Sequence, residues 1–367
     1  MPVTLTDPTR AAHALICHGA LRHNVQRLRT LAPKANIMAV IKANAYGHGM
    51  LDVAKTLALA GVDAFAVART DGAIELRQAG ITHRIAVLQG FFNEDELKAH
   101  AALGLEPVIH SAWQVDLLER IHPPVPIRIW LKVDTGMHRL GLLPEEFEGI
   151  LQRLKACRSI EQPIPLMSHL ANADALEDSF TQSQLSLFED IHLTHPEEAS
   201  VANSAGILGW DQAVREWIRP GISIYGVSPF PKRSAIDEGL QPVMTLRTRL
   251  ISIKEVKAGT PVGYGGDWIC PQPTRLGVAA IGYGDGYPRL ARAGTPVLIN
   301  HQKAALIGRV SMDMITLDLT PLKDSKVGDL VTLWGDELPV ETIADAAGTI
   351  PYDLLCGVTR RVKFIDT

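Results

Sequence analysis

Ile37-Met38-Ala39-Val40-Ile41-Lys42-Ala43-Asn44-Ala45-Tyr46-Gly47-His48-Gly49 is the stretch on which the reading of the fold turns. Five apolar residues in a row read as a short strand buried on both faces, the habit of a parallel sheet. A single lysine ends the run, and polar residues and glycines then open a loop. Barrels and open α/β sheets keep their chemistry at the carboxyl ends of such strands. An amine held there, partly desolvated, can lose its charge and add to a carbonyl. A plain surface lysine is the commoner case, so the rest of the chain has to decide.

Moving outward, a first strand signal and an amphipathic helix (Leu21, Val25 and Leu28 on one face, ended by Pro33) precede this stretch. Apolar runs then recur at 37–41, 63–68, 84–89, 105–110, 126–133, 163–169, 199–204 and 214–219. Amphipathic segments such as LDVAKTLALAG, DGAIELRQAG, NEDELKAHAALG and PEEFEGILQRLKA separate them. Several of these start with Asp, Asn or Pro and stop at Gly, as helix caps prefer. Eight βα units in succession predict an α/β chain with an N-terminal (β/α)8 TIM-like barrel. A doubly wound sheet is the alternative. After Phe230 the grammar changes: a linker rich in Pro, Gly and charge (PFPKRSAIDEGLQP) leads into β-rich runs, with VETIADAAG as the one helical pattern. The expected domains are a barrel over 1–236 and a C-terminal, mostly β-strand domain over 237–367.

Composition narrows the function classes. The 367 residues are 46% hydrophobic and 21% charged, enough for a sizeable core, and the formal charge of −4 gives no basic footprint for nucleic acid. No run approaches the roughly 18 apolar residues of a membrane span. The N-terminus lacks the charged start, apolar run and small-residue site of a signal peptide. Cys17, Cys157, Cys270 and Cys356 are scattered and form no CxxC pair, which points to a reducing, cytoplasmic location and no structural zinc or other metal site.

Placed on the barrel, the unusual polar residues gather at strand carboxyl ends: Lys42 at the first, Lys132, Asp134 and Arg139 at the fifth, His169 at the sixth, Asn203 and Ser204 at the seventh, and Arg219 at the eighth. Each has a plain reading, as a core histidine or a surface cation. Five strand ends turned to one rim are harder to obtain by chance. Ser204 offers a hydroxyl, and Gly221 and Ile222 offer backbone N–H groups where a short helix can begin, which favours an anion. Barrels commonly bind phosphate beside the loops after the last two strands. A Schiff-base lysine beside a phosphate site suggests pyridoxal 5′-phosphate (PLP) as cofactor.

The run AVIKANAYGHG (39–49) resembles the PLP-attachment signature of bacterial alanine racemases. KVDTGMHRLG, SHLANAD, NSAG, RPGISIYGVSP, VGYGG, IGYGDGYPR, GRVSMDM and PYDLLCGVTRRV extend the resemblance, in the family's order, over essentially the whole chain. It implies a PLP enzyme interconverting L- and D-alanine and supplying D-alanine for peptidoglycan. In the implied roles, Lys42 anchors PLP and exchanges the α-proton on the D side, and Tyr264 is the opposing base. Racemisation needs an acceptor on each face of a planar carbanion. A phenol serves near neutrality only where its neighbours favour the phenolate. In the family Tyr264 comes from the second subunit, so the resemblance implies a homodimer with a composite site.

By the same resemblance Arg219 faces the pyridine nitrogen with His169 beside it. Tyr46, Asn203, Ser204, Gly221, Ile222 and Tyr352 belong with the cofactor and its phosphate. Arg139 lies near the phenolic oxygen and the substrate carboxylate, Met312 meets that carboxylate, and Lys132 matches a lysine often carbamylated. Asp174, Tyr283, Arg309 and Asp313 resemble entrance residues, with surface structure as their plain alternative. Gly263 departs from the small hydroxyl residue of many relatives, which bears on the hydrogen bonding around Tyr264. The competing functions are a broader-specificity racemase, whose kind typically carries an export signal; a decarboxylase, which would place an acid opposite the ring nitrogen; and a non-catalytic PLP carrier, which would lack the second domain.

Overall fold

The computed structural model describes residues 11–123 and 125–367. Residues 1–10, with which the expected 1–236 domain begins and on which the reading of the N-terminus partly rests, lie outside the described residues. The chain divides into two compact units, one running from Arg22 to Ile224 with Pro229–Pro231, the other holding the described residues up to Leu21, Tyr225–Ser228 and Lys232–Thr367.

Strand β1 (His13–Ile16) belongs to the sheet of the second unit. The next eight close into a parallel barrel: β2 (Asn36–Val40), β3 (Ala64–Val67), β4 (Arg84–Val87), β5 (Glu106–Ile109), β6 (Trp130–Lys132), β7 (Leu166–Met167), β8 (Ala199–Ser200) and β9 (Trp217–Ile218). Pairing of Asn36 with Trp217 and Ile37 with Ile218 joins the last strand to the first and excludes the open, doubly wound alternative. Each apolar run of the sequence contains or overlaps one barrel strand, but the ladders are shorter than the runs because their ends peel into rim loops. Ile37, Met38 and Ala39 are fully buried, as a strand between barrel interior and helices must be.

The helices start and stop on local chemistry. Asn93 accepts the N–H of Glu96 at 2.9 Å to open Glu94–Leu103, and Gly104, at φ 58°, closes it. Pro144 opens Pro144–Ala156, where the Glu146 carboxylate accepts the Leu143 N–H.

The two ends of the barrel differ in kind. At the amino ends of the strands, Glu106 accepts two hydrogen bonds from Arg84, at 2.6 and 3.0 Å, and one from Trp130 Nε1 at 2.9 Å. The Arg84 guanidinium also stacks 4.5 Å from the Trp217 ring. This plug neutralises itself and fills its own space. At the carboxyl ends, by contrast, Lys42, Lys132, Arg139 and Arg219 lie close enough to act on one another's charge.

In the other unit an eight-stranded sheet runs in the order β13, β16, β15, β14, β17, β10, β1, β18. Its strands are β10 (Met244–Val256), β13 (Thr274–Ala279), β14 (Pro296–Ile299), β15 (Gln302–Ile307), β16 (Ile315–Asp318), β17 (Leu330–Trp334) and β18 (Lys363–Asp366), together with β1. A small hairpin of β11 (Pro261–Val262) and β12 (Trp268–Ile269) carries the turn that holds Tyr264. Helix Val340–Ala347 is the one expected, and Pro351–Gly357 adds a second that the sequence pattern leaves unmarked.

Candidate active site

β2 delivers Lys42 through an uncommon turn. Ile41 extends the ladder by one bond, its N–H reaching Ala66 O at 2.9 Å. Ala43 (φ 52°, ψ 51°), Asn44 (φ 55°, ψ 46°) and Ala45 (φ 54°, ψ 51°) then wind left-handed, and Tyr46 follows at φ 52°. Each such non-glycine residue costs about 1–2 kcal/mol, so the surroundings must impose the turn. Ala45 N–H reaches Ile41 O at 2.9 Å and Gly47 N–H reaches Ala43 O at 3.0 Å, while Asn44 Oδ1 accepts the Met50 N–H at 2.8 Å. Buried His48 donates from Nδ1 to the carbonyls of Ala45 and Tyr46, both at 3.0 Å, and burial lowers its pKa to about 4, keeping it neutral.

The turn brings the Tyr46 hydroxyl against Gly221, where a Cβ would fall inside the hydroxyl's van der Waals shell. Beside it the Ser204 hydroxyl accepts the Gly221 N–H at 2.9 Å and the Ser223 N–H at 3.2 Å. Ile222 opens a short 3-10 turn over 222–225, where the first N–H groups lack partners within the turn. Asn203 caps the helix Ser204–Gly209, its Oδ1 accepting the Gly206 N–H at 2.9 Å.

Arg219, 4% exposed at the end of β9, is caged by neutral acceptors. Nη1 donates to Ser200 Oγ at 2.6 Å; Nη2 donates to Ser168 O at 2.5 Å, to Val201 O at 3.3 Å and to His169 Nδ1 at 3.2 Å. A guanidinium has only donors, so His169 Nδ1 accepts and the imidazole proton sits on Nε2. Burial, with Arg219, Lys132, Arg139 and Lys42 nearby, holds His169 well below its usual range, so it stays neutral. Burial also brings Arg219 down to about 10, still charged at neutral pH.

Lys132 ends β6 and is 8% exposed. Burial first, then Arg219 and Arg139, lower its pKa to about 8, Lys42 adding to the effect and Asp134 opposing it. Asp134, a rim residue in the sequence reading, shapes the turn: its Oδ1 accepts the N–H of Gly136 at 2.9 Å and of His138 at 3.1 Å. Arg139 and Asp174 are exposed in the same unit.

The remaining expected residues lie in the β-rich unit. Tyr264 is 68% exposed, Met312 52% and Tyr283 40%. Gly263, at φ 74°, turns the chain into the Tyr264 bend. Arg309 pairs with Asp267 and Asp313 with Arg361. Tyr352 sits on helix Pro351–Gly357.

Sequence reading missed Ser200, Ser168 and Gln184. Gln184 is buried on the helix Ser179–Thr194, where it accepts the Ala171 N–H at 2.9 Å and donates to His169 O at 3.1 Å, clasping the loop that carries His169. Its signal was available: a glutamine spaced four residues from both Phe180 and Phe188 interrupts an apolar stripe.

Two family profiles match the chain, the alanine racemase N-terminal domain over residues 16–229 and the alanine racemase C-terminal domain over 243–365. A biosynthetic alanine racemase of Escherichia coli K12 is 48% identical over 360 residues, covering 97% of this chain and all of the relative. Among solved structures, the biosynthetic alanine racemase of Pseudomonas aeruginosa superposes with a TM-score of 0.94 at 41% identity, covering 98% of this chain and all of that one. An alanine racemase of Bartonella henselae, described with covalently bound pyridoxal phosphate, superposes at 0.88 with 31% identity, over 97% of this chain and 99% of that one.

Proposed function

The chain belongs to the alanine racemase family, and from that premise we propose that it interconverts L- and D-alanine with PLP, through two opposed bases, Lys42 and Tyr264 of the partner subunit. The observation that carries the reading is the carboxyl rim of the barrel, where Lys42, Lys132 and Arg219 gather with no acid among the described residues bonded to Arg219. The residues fit the cofactor. Lys42 supplies a primary amine at a strand end, and the Gly221 position, bare of Cβ, lets the Tyr46 hydroxyl approach the backbone beside Ser204 and Ile222, a set of polar groups suited to a phosphate. Tyr46 and Asn203 complete that cradle, Asn203 by capping the helix that begins at Ser204, and the family resemblance assigns Tyr352 to the phosphate.

When bound, PLP supplies a conjugated electron sink for the pair left on Cα as the α-proton departs. Lys42 Nζ takes or returns that proton on the D side, and the phenol oxygen of Tyr264 of the partner subunit does so on the L side. Arg219, a cation that can only donate, would face the pyridine nitrogen and disfavour its protonation, tempering the sink. His169, neutral with its proton on Nε2, adds no second charge. Arg139 and the Met312 N–H orient the substrate carboxylate, Lys132 is the lysine open to carbamylation, which would make it an anionic neighbour of Arg139, and Asp174, Tyr283, Arg309 and Asp313 line the approach.

The exposure of Tyr264, Ile269, Leu290, Met312 and Met314 supports a homodimer in which the β domain, taken as 237–367, covers the partner's barrel, taken as 1–236. The four cysteines, none in a disulfide, agree with a cytoplasmic enzyme that supplies D-alanine for peptidoglycan. No helix among the described residues is long and apolar enough to cross a membrane.

The test mixes two inactive chains. Lys42→Ala and Tyr264→Ala homodimers should each be inactive, while their heterodimer should recover up to about half the activity through one intact site. Lack of recovery after proven subunit exchange refutes the shared site. PLP-independent racemisation, or a panel in which alanine is not the preferred substrate, refutes the chemistry.

A further inference from the structure

Ser200 closes β8 and is fully buried. It donates its single proton to Trp217 O at 2.9 Å, so toward Arg219 Nη1, at 2.6 Å, it can only accept. The other acceptors of the guanidinium are the Ser168 and Val201 carbonyls and the neutral His169 ring. Ser200 is thus the one hydroxyl in a cage without carboxylates, and strand pairing with Trp217 fixes the direction of its dipole.

We propose that Ser200 is a positioning residue for Arg219, a one-way acceptor that fixes the guanidinium in place while leaving its positive charge uncompensated. This rests on the reading of Arg219 as the group facing the cofactor nitrogen. A carboxylate at position 200 would anchor Arg219 as firmly but cancel its charge. A methyl would leave an Nη1 proton unpaired in a dry site and let the guanidinium turn. A neutral hydroxyl with its proton committed elsewhere does neither. Burial alone, with no acid opposing it, lowers the pKa of Arg219, consistent with a charge held by dipoles.

The test compares Ser200→Ala, Ser200→Cys, Ser200→Thr and Ser200→Asp as PLP-loaded enzymes. Nitrogen-15 spectra of the arginine side chains read the position of Arg219 directly. The absorption of bound cofactor, titrated with pH without substrate, reads the effect of its charge. Ala and Cys should free the Arg219 Nη1 protons to exchange faster and lower kcat by about tenfold to a hundredfold, the worth of a hydrogen bond to a charged group, with KM within about twofold. Thr, which keeps the hydroxyl, should restore both. Asp should keep the exchange slow yet move the cofactor titration upward by about one pH unit or more, because the cation is compensated. Cys matches serine in shape and decides the matter should Ala fail to fold.

Unchanged guanidinium signals and unchanged cofactor titration in Cys or Ala overturn the proposal. Altered guanidinium signals with a cofactor titration unmoved even in Asp support the positioning and overturn instead the reading that Arg219 faces the cofactor nitrogen.

Discussion

Replacing Lys132 by methionine removes a charge from a site that resists holding it. The pKa of Lys132 falls from 10.5 to about 8, and the 2.5-unit difference corresponds to roughly 3 kcal/mol disfavouring the ammonium in the folded protein. The sign follows from proton binding. Between pH 8 and 10.5 the unfolded chain holds this proton and the folded chain does not, so the folded state gains stability as pH rises through that window. Below pH 8 both states hold it, and the folded state bears the whole penalty. In CO2-free buffer near neutrality, the Lys132→Met protein stripped of cofactor should therefore be more stable than the parent by about 3 kcal/mol. The advantage should shrink by about 1.4 kcal/mol for each pH unit above 8.

Carbon dioxide supplies the second arm. It adds to the free amine only, forming a C–N bond and releasing one proton, and it turns a cation into a carbamate anion. At pH 8 about half of Lys132 is free amine, against roughly 0.3% of an ordinary lysine, an enrichment of about 150-fold. The carbamate would meet Arg139, Arg219 and Lys42 as counter-charges, so bicarbonate should raise the stability of the parent and leave Lys132→Met unmoved. Denaturant melts across pH, with and without bicarbonate, measure both arms, and carbon-13 bicarbonate should yield a carbamate resonance missing from the variant. Equal stability of parent and variant in CO2-free buffer near neutrality refutes the charge-stress account. A folded, PLP-loaded enzyme with no carbamate resonance at saturating bicarbonate refutes the modification.

Gly221→Ala places a methyl against the Tyr46 hydroxyl and should weaken PLP binding about tenfold or more by equilibrium dialysis; Tyr46→Phe in the same chain should recover part of the loss, and affinity equal to the parent's would remove Gly221 from the cradle. Glu106→Gln leaves Arg84 without its anion at the opposite end of the barrel and should cost about 3 kcal/mol in denaturant melts, with kcat within about twofold below the unfolding transition. A large loss of kcat in that folded variant would contradict the division of the barrel into a self-neutralised end and a reactive end.

What was legible in the sequence follows from what each signal depends on. The barrel strands could be read because burial on both faces removes polar residues from them, so 37–41 or 84–89 stand out with no partner in view. Lys42, Lys132, His169 and Arg219 could be read because each interrupts or ends such a run. The left-handed turn after Lys42 could not, since Ala43, Asn44, Ala45 and Tyr46 contain no glycine to announce positive φ, and the backbone, Asn44 and His48 bonds that close the turn leave no periodic pattern in the sequence. Ser200 was hidden for another reason. A serine near a strand end is ordinary in a sequence, and only the direction of its proton, set by Trp217 across the ladder, makes it matter. Asp134 shows another side of the same limit: an acid at the rim reads as chemistry, and only the structure shows that its oxygen also shapes the turn over 134–138. Strand β1 joins a sheet whose other members lie after residue 243, a pairing that local pattern does not encode.

These pieces share an electrostatic logic. Lys42, Lys132, Arg139 and Arg219 all bear on His169, and no carboxylate is bonded to Arg219. At the other end of the barrel the half-buried Arg84 is paired with the buried acid Glu106, so the uncompensated charge of Arg219 belongs to the rim and not to the barrel as a whole. Carbonyls and a hydroxyl hold Arg219 without neutralising it, and they are already oriented before any substrate arrives. Fixed dipoles around an unspent cation resemble an enzyme that stabilises electron density as it develops rather than one that binds a finished anion, because no reorganisation is needed at the moment of reaction. The same arrangement explains why the stress on Lys132 matters: in so crowded a set of cations, a lysine already eased toward losing its proton is one whose charge chemistry can reverse.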